Sequence, residues 1–288
     1  MTMTAVPPRV VGPDGRRRLA PIAALAVGVT RLPVTVSYLL TSAVVATLLA
    51  SLRPGAQAHV ILAASTNLDN LSRGDLVTLV TSAFVTDEPP SWLWWAGVGA
   101  LLAAAEFALG SRRLVTTFAL GHVGATALVA VGLVIGIEGS WLPASLSGAD
   151  DVGVSYGAAA VLGSLTAVLP ARYRFPWAAG CSAVAVTALI AAPSFTAVGH
   201  VLGLLLGLAV AAVTVRRGAG TAGTRTDSLG FRALLAVGVA FVYAAVGGSV
   251  GAWWSPLPIG LAAGLGVAAV RYAANRRRAV RATCRPTL

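Results

Sequence analysis

Apolar residues in this chain fall in long, nearly unbroken runs, not at the three-and-four spacing of a half-wetted surface helix. A helix that crosses a bilayer needs about 20 consecutive, mostly apolar residues. Six runs of that kind lie at roughly 33–52, 92–110, 114–136, 153–169, 176–192 and 195–214, and two more at roughly 230–249 and 256–272. The pattern predicts an all-α, polytopic membrane helix bundle with a six-helix core and two C-terminal transmembrane helices. Polar stretches divide the chain accordingly. A basic N-terminal segment covers 1–32, the core 33–214, a Gly/Thr-rich linker 215–229, the second helix pair 230–272 and a basic tail 273–288. Trp253, Trp254 and Pro256, between the last two runs, suit a turn at the membrane interface.

Composition agrees with lipid as the surrounding solvent. Charged residues make up 11% of the chain and hydrophobic ones 57%, against about 25% charged in a soluble domain. The net charge of +11 does not indicate nucleic acid, because the basic residues sit in short clusters between apolar runs and no nucleic-acid-binding module is present. All 21 basic residues are arginine, and their placement gives a direction. With a cytoplasmic N-terminus and alternating spans, all of them except Arg53 and Arg73 fall on the inner side. Asp69, Asp75, Asp87, Glu88, Glu138, Asp150 and Asp151 fall on the outer side. The expected location is therefore the cell membrane, multi-pass, with both termini cytoplasmic. No small-residue cleavage site follows the first run, which reads as a retained helix. Cys181 lies in an apolar run and Cys284 in the basic tail, so no disulfide framework is implied.

Ionisable and nucleophilic groups at membrane depth are costly, and the few present are the candidates for function. The spans hold Glu106, His122 and His200, with Ser155 at the head of the fourth in Gly153-Val154-Ser155-Tyr156-Gly157. His200 lies about 9 Å into the sixth span and Ser155 about 5 Å into the fourth, at 1.5 Å per residue. Both spans run inward, so the two side chains are expected at similar depth below the outer surface. Gly153 and Gly157 are four apart, as are Gly203 and Gly207, a spacing that lets membrane helices approach closely. Such an approach would bring a serine hydroxyl within reach of a neutral imidazole base.

In this order the residues resemble the rhomboid family of intramembrane serine proteases. Gly-x-Ser heads the fourth span, and His followed by spaced glycines marks the sixth. The stretch from Leu71 to Phe84 is similar to the family's membrane-associated first loop, and Glu106 followed by Gly110-Ser111-Arg112-Arg113 to its junction of spans two and three. The resemblance covers roughly 33–214. It implies that Ser155 is the nucleophile and His200 the general base and acid, hydrolysing a peptide bond in or near a substrate's transmembrane helix. The backbone N–H of Ser155 would supply part of an oxyanion hole, with Gly153, Tyr156 and His122 lining the site. Three positions depart from the family pattern. Span two, Trp92-Leu93-Trp94-Trp95-Ala96-Gly97-Val98-Gly99-Ala100, lacks the family's His and Asn, and loss of one oxyanion donor costs about 10²–10³ in rate. Tyr156 replaces a glycine, and Ala159 stands where an aromatic residue braces the imidazole.

Structural roles compete for the same residues. Asp151 or Ser155 can cap a helix, and His122 can be helix-packing glue. Glu106 suits an anchor for the first loop or for a helix end. Asp150 and Asp151 read as solvated loop charges, and His59 as exposed. No metal or cofactor is expected. The expected partners are the lipid bilayer and a transmembrane protein, either as the substrate of a protease or as the client of a catalytically inactive, helix-binding relative.

Overall fold

A computed structural model describes residues 31–86, 92–218, 228–249 and 256–283. Arg9, Arg16–Arg18, Arg225, Arg285, Asp87, Glu88, Cys284 and the Trp253-Trp254 turn lie outside the described residues.

Helix α1 spans Pro33–Ala50. Three short helices follow in the first connection: α2 (Pro54–Ala64), α3 (Leu68–Ser72) and α4 (Thr78–Thr81), the last running into a 3₁₀ turn at Ser82–Phe84. Then come α5 (Trp92–Leu109), α6 (Ser111–Glu138), α7 (Ser155–Ser164), α8 (Ala171–Ala191) and α9 (Phe195–Arg216). Helices α10 (Leu229–Ser249) and α11 (Pro256–Thr283) complete the chain. Each of the eight apolar runs thus contains a helix, and the protein is a polytopic helical bundle. Among the described residues, α1, α6, α8 and α9 are long and apolar enough to cross a membrane unaided.

Helix α7 departs most from its expected span. The run 153–169 predicts a full crossing, but α7 has 10 residues and ends in a 3₁₀ turn at Leu165–Ala167. Gly153 has φ of +116°, a backbone setting that side chains disfavour, so the chain turns there before the helix begins. A helix this short is stable at membrane depth only inside a sheath of other helices. Residues Tyr156 to Ser164 are all buried, packed by α6 and α9 and more lightly by α5.

Glycines set the closeness of that packing. A methyl group on Gly203 would stand 2.5 Å from the Tyr156 carbonyl oxygen, and one on Gly207 would overlap that of Ala160. On the α7 side, a methyl on Gly163 would come 2.6 Å from the Leu204 carbonyl oxygen. The expected glycine seam between the fourth and sixth spans is therefore present, though with different members. Gly157 opens toward the Phe118 ring of α6, and Gly153 precedes the helix.

Glu106 anchors a helix end. Its carboxylate accepts the backbone N–H groups of Val34 (3.0 Å) and Thr35 (2.8 Å) at the start of α1, and the hydroxyls of Thr35 (2.7 Å) and Ser111 (2.7 Å). One side chain near the end of α5 thereby satisfies the orphan donors at the head of α1 and ties α6 to both.

The two C-terminal helices do not form a separate pair. Helix α10 lies along α5, where Gly238 sits against the Leu101 backbone and Gly97 against the Phe241 ring. Helix α11 lies along α8, with a methyl on Gly180 or Gly264 meeting the backbone of the facing helix at 3.1 Å. It continues as a helix through Arg271 and Arg276–Arg278 to Thr283, beyond the apolar run 256–272. Likewise α8 starts at Ala171 and passes through Pro176, five residues before its expected start.

Candidate functional site

The candidate residues gather around the head of α7, where the first connection, the turn at Gly153 and the start of α9 meet. Backbone bonds fix the approach. The Gly153 N–H donates to the Ser82 carbonyl at 2.7 Å, and the Thr66 N–H to the Asp151 carbonyl at 3.1 Å. The Asp151 N–H donates to the Ser65 hydroxyl oxygen at 2.7 Å. Asn70 holds the connection in shape, donating through its side-chain amide to the carbonyls of Leu62 (2.9 Å) and Ser65 (2.7 Å).

Ser155 is the first residue of α7, and no side chain caps the amides there. Uncapped N–H groups at a helix start, reinforced by the helix dipole, favour negative charge. Ser155 itself is half-buried. His200 lies about 8 Å along α9 from Phe195, at 1.5 Å per residue. Its ring meets the Tyr156 ring edge-on, with centroids 5.6 Å apart. Room for that tyrosine comes from Gly199, where any side chain would run into the phenol. On its other side His200 borders a cavity of about 230 Å³ walled by small residues, among them Ala185, Ala188, Ala192 and Ala197. Among the described residues, Ser155 and His200 share no hydrogen bond. The ring contact that the structure gives His200 is with Tyr156.

Asp151 is half-buried beside Tyr156, not the fully solvated loop charge expected. Burial pushes its carboxyl up from 3.8 to about 6, and the facing Tyr156 hydroxyl partly offsets this. That hydroxyl lies toward Asp151 and Thr196, although neither approach reaches good hydrogen-bond geometry. This cluster has no sequence signal, because Asp151 meets Ser65, 86 residues earlier, and Thr66 of the first connection only in the folded chain.

His122 occupies a different setting. It is 5% exposed, and its Nε2 lies 3.1 Å from the Ser82 hydroxyl oxygen. Thr66 Oγ1 lies 2.9 Å from Ser82 Oγ and 2.8 Å from the Thr78 carbonyl. Nδ1 of His122 is buried without a partner. In only one arrangement of protons does every donor here meet an acceptor. His122 Nε2–H donates to Ser82, Ser82 to Thr66, and Thr66 to the Thr78 carbonyl, leaving a bare acceptor at Nδ1. His122 is then a donor to Ser82 and not its base, and this second Ser–His pair is a structural clasp between α6 and the first connection. Glue was expected between helices; it joins a helix to a loop. The Phe118 ring stacks on the imidazole, with centroids 6.1 Å apart.

No group of three or more His, Cys, Asp or Glu side chains among the described residues is arranged to hold a metal. His59 is exposed on α2, and Cys181 is a free thiol in α8.

A short, wholly enclosed helix carrying Gly-x-Ser at its head, crossed by a glycine-faced helix carrying His, defines a class of multi-pass membrane protein. Residues 28–221 match the family described as rhomboid-like protein, and the chain belongs to that family. The matched region takes in α1 to α9 and stops before α10. No curated protein and no solved structure gives a significant match.

Proposed function

We propose that this protein is an intramembrane serine endopeptidase of rhomboid type that cleaves transmembrane or membrane-tethered proteins. The observation that carries the reading is the uncapped head of α7. It presents the Ser155 hydroxyl and the uncapped backbone amides of the first turn at one half-buried point, one residue from the tyrosine that touches His200. In the mechanism, Ser155 Oγ attacks the scissile carbonyl while His200 takes its proton. The amides of the first turn of α7, that of Ser155 among them, receive the oxyanion, and His200 returns the proton to the leaving amine. Water then hydrolyses the acyl-enzyme by the same route. Catalytic hydrogen bonds are often long or misaligned without substrate, and the Ser155–His200 contact forms in this reading when a substrate segment seats beside Tyr156. The arginine distribution supports a cell-membrane protein with both termini cytoplasmic and the site opening to the outer face.

A second reading is a catalytically inactive member that binds transmembrane helices. It is favoured by the missing Ser155–His200 hydrogen bond and by a span two without His or Asn. Purified protein reconstituted with a membrane-tethered reporter separates the two. Cleavage that disappears in Ser155→Ala and in His200→Ala supports the protease. No cleavage by the wild-type protein, with the reporter's helix still co-purifying, selects the inactive binder.

A further inference from the structure

A second cavity lies away from the head of α7, between α1, α6 and the end of the first connection. Its volume is about 500 Å³, and its walls are almost wholly apolar, including Val34, Tyr38, Val80, Phe84, Val115 and Phe118. Val80 and Val115 are 60% and 48% exposed, so the groove opens sideways from the bundle. The helices that wall it cross the membrane, so what lies outside the opening is hydrocarbon. The groove runs from Pro33 at the start of α1 to His122 and Val123, about 17 Å along α6 from its first residue at 1.5 Å per residue.

Charge at one end says what kind of molecule fits. Arg31 lies two residues before Pro33, and Arg112 and Arg113 open α6. All three are exposed. Arg112 lies one turn below Val115 on the α6 stripe that continues through Ala119 and His122, so it stands at the mouth of the groove. Helical side chains lean toward the N-terminus, which carries its guanidinium outward to the level of lipid headgroups. Among the described residues the acid near this end, Glu106, is buried with its oxygens occupied by α1, Thr35 and Ser111. An apolar slot at acyl-chain depth thus ends in a cluster of guanidinium groups at headgroup depth.

We propose that this groove is a binding site for an anionic phospholipid, with an acyl chain in the slot and the phosphate on Arg31 and Arg112. Guanidinium groups pair with phosphate oxygens in a bidentate fork, and basic clusters beside membrane helices recognise anionic headgroups. The site is independent of Ser155 and stands whether or not the protein cleaves peptides.

The test uses the full chain in nanodiscs carrying phosphatidylglycerol or phosphatidylcholine spin-labelled deep in one acyl chain. The wild-type protein is expected to hold a motionally restricted phosphatidylglycerol population well above that of phosphatidylcholine. The preference should fall about fivefold for each arginine removed in Arg31→Gln and Arg112→Gln. Ala119→Phe, or independently Ser37→Phe, fills the slot from an exposed position on either wall and should release the restricted lipid while helicity is unchanged. Equal restriction of the two lipids by the wild-type protein would overturn the proposal. So would a phosphatidylglycerol excess that survives both filling variants, since the arginines would then be acting as a simple surface charge.

Discussion

The two histidines of the core, His122 buried and His200 half-buried, differ in what surrounds them. His122 ends a chain of hydrogen bonds in which each donor is used, and that chain clasps the first connection to α6. The His200 ring meets the edge of Tyr156 and borders a cavity of small residues, and the helix that carries this tyrosine starts without a side-chain cap. A satisfied polar network rigidifies a fold. An imidazole with no hydrogen bond among the described residues gives the fold little and, in the proposed reading, is available to a substrate. In the proposed reading the pair with the good hydrogen bond, Ser82 and His122, is the structural one, and chemistry is to be sought at Ser155 and His200.

The largest effect that tests this contrast is on reactivity. A fluorophosphonate probe is expected to label the wild-type protein at Ser155. Ser155→Ala should lower labelling by at least about 10³-fold, the scale seen when a serine nucleophile is removed, with an unchanged melting temperature. Ser82→Ala should keep labelling and lose stability instead, by about 1–3 kcal/mol, because the buried His122 Nε2–H loses its acceptor. Labelling lost in Ser82→Ala and kept in Ser155→Ala would reverse the assignment.

Next in size is the seam that carries His200 to α7. Leucine at Gly207 would drive a side chain into the Ala160 carbonyl, at a cost of about 3 kcal/mol or more. Gly207→Leu should yield protein that aggregates or melts well below wild type in detergent. A wild-type melting temperature would mean that α9 tolerates a looser seat than the carbonyl contacts require. The histidines themselves then separate. His122→Ala is expected to destabilise by about 2 kcal/mol through its lost bond to Ser82 and the lost packing of its buried ring. His200→Ala should change stability by only about 0.5 kcal/mol, as for a side chain without specific bonds. Equal losses in thermal unfolding would erase the distinction.

What could be read from the chain, and what could not, follows from range. Each apolar run became a helix because in lipid a backbone must satisfy its own hydrogen bonds, and that demand is local. The Gly203 and Gly207 seam was also legible, since a glycine pair four apart needs only its own helix to define a face. The short α7 was not, because its burial depends on α6 and α9 closing round it, and the turn at Gly153 is set by the Ser82 carbonyl 71 residues earlier. Tyr156 meeting His200 was hidden for a related reason. Residue counting gives depth along a helix, but rotation about each axis decides which neighbour faces inward, and no periodic signal reports it. Asp151 belongs with these, since an acid in a polar loop looks solvated until another segment covers it.

Asp151 offers the smallest and most specific test of the region around His200. Its carboxyl is held at about 6 in the folded protein against 3.8 ordinarily, chiefly by burial. The folded state therefore binds this proton more tightly than the unfolded chain does. The stability this confers is complete below about 3.8 and is lost as the pH rises through about 6. At neutral pH the ionised, part-buried carboxylate is a cost that an amide of the same shape does not carry. Asp151→Asn should accordingly raise stability at neutral pH by about 1–3 kcal/mol and leave it unchanged near pH 4. Melting temperatures of both proteins across that range read the difference directly. Parallel curves would mean that water reaches Asp151 freely, and the polar cluster around Tyr156 would then be part of an open, solvated entrance to His200 instead of a closed one.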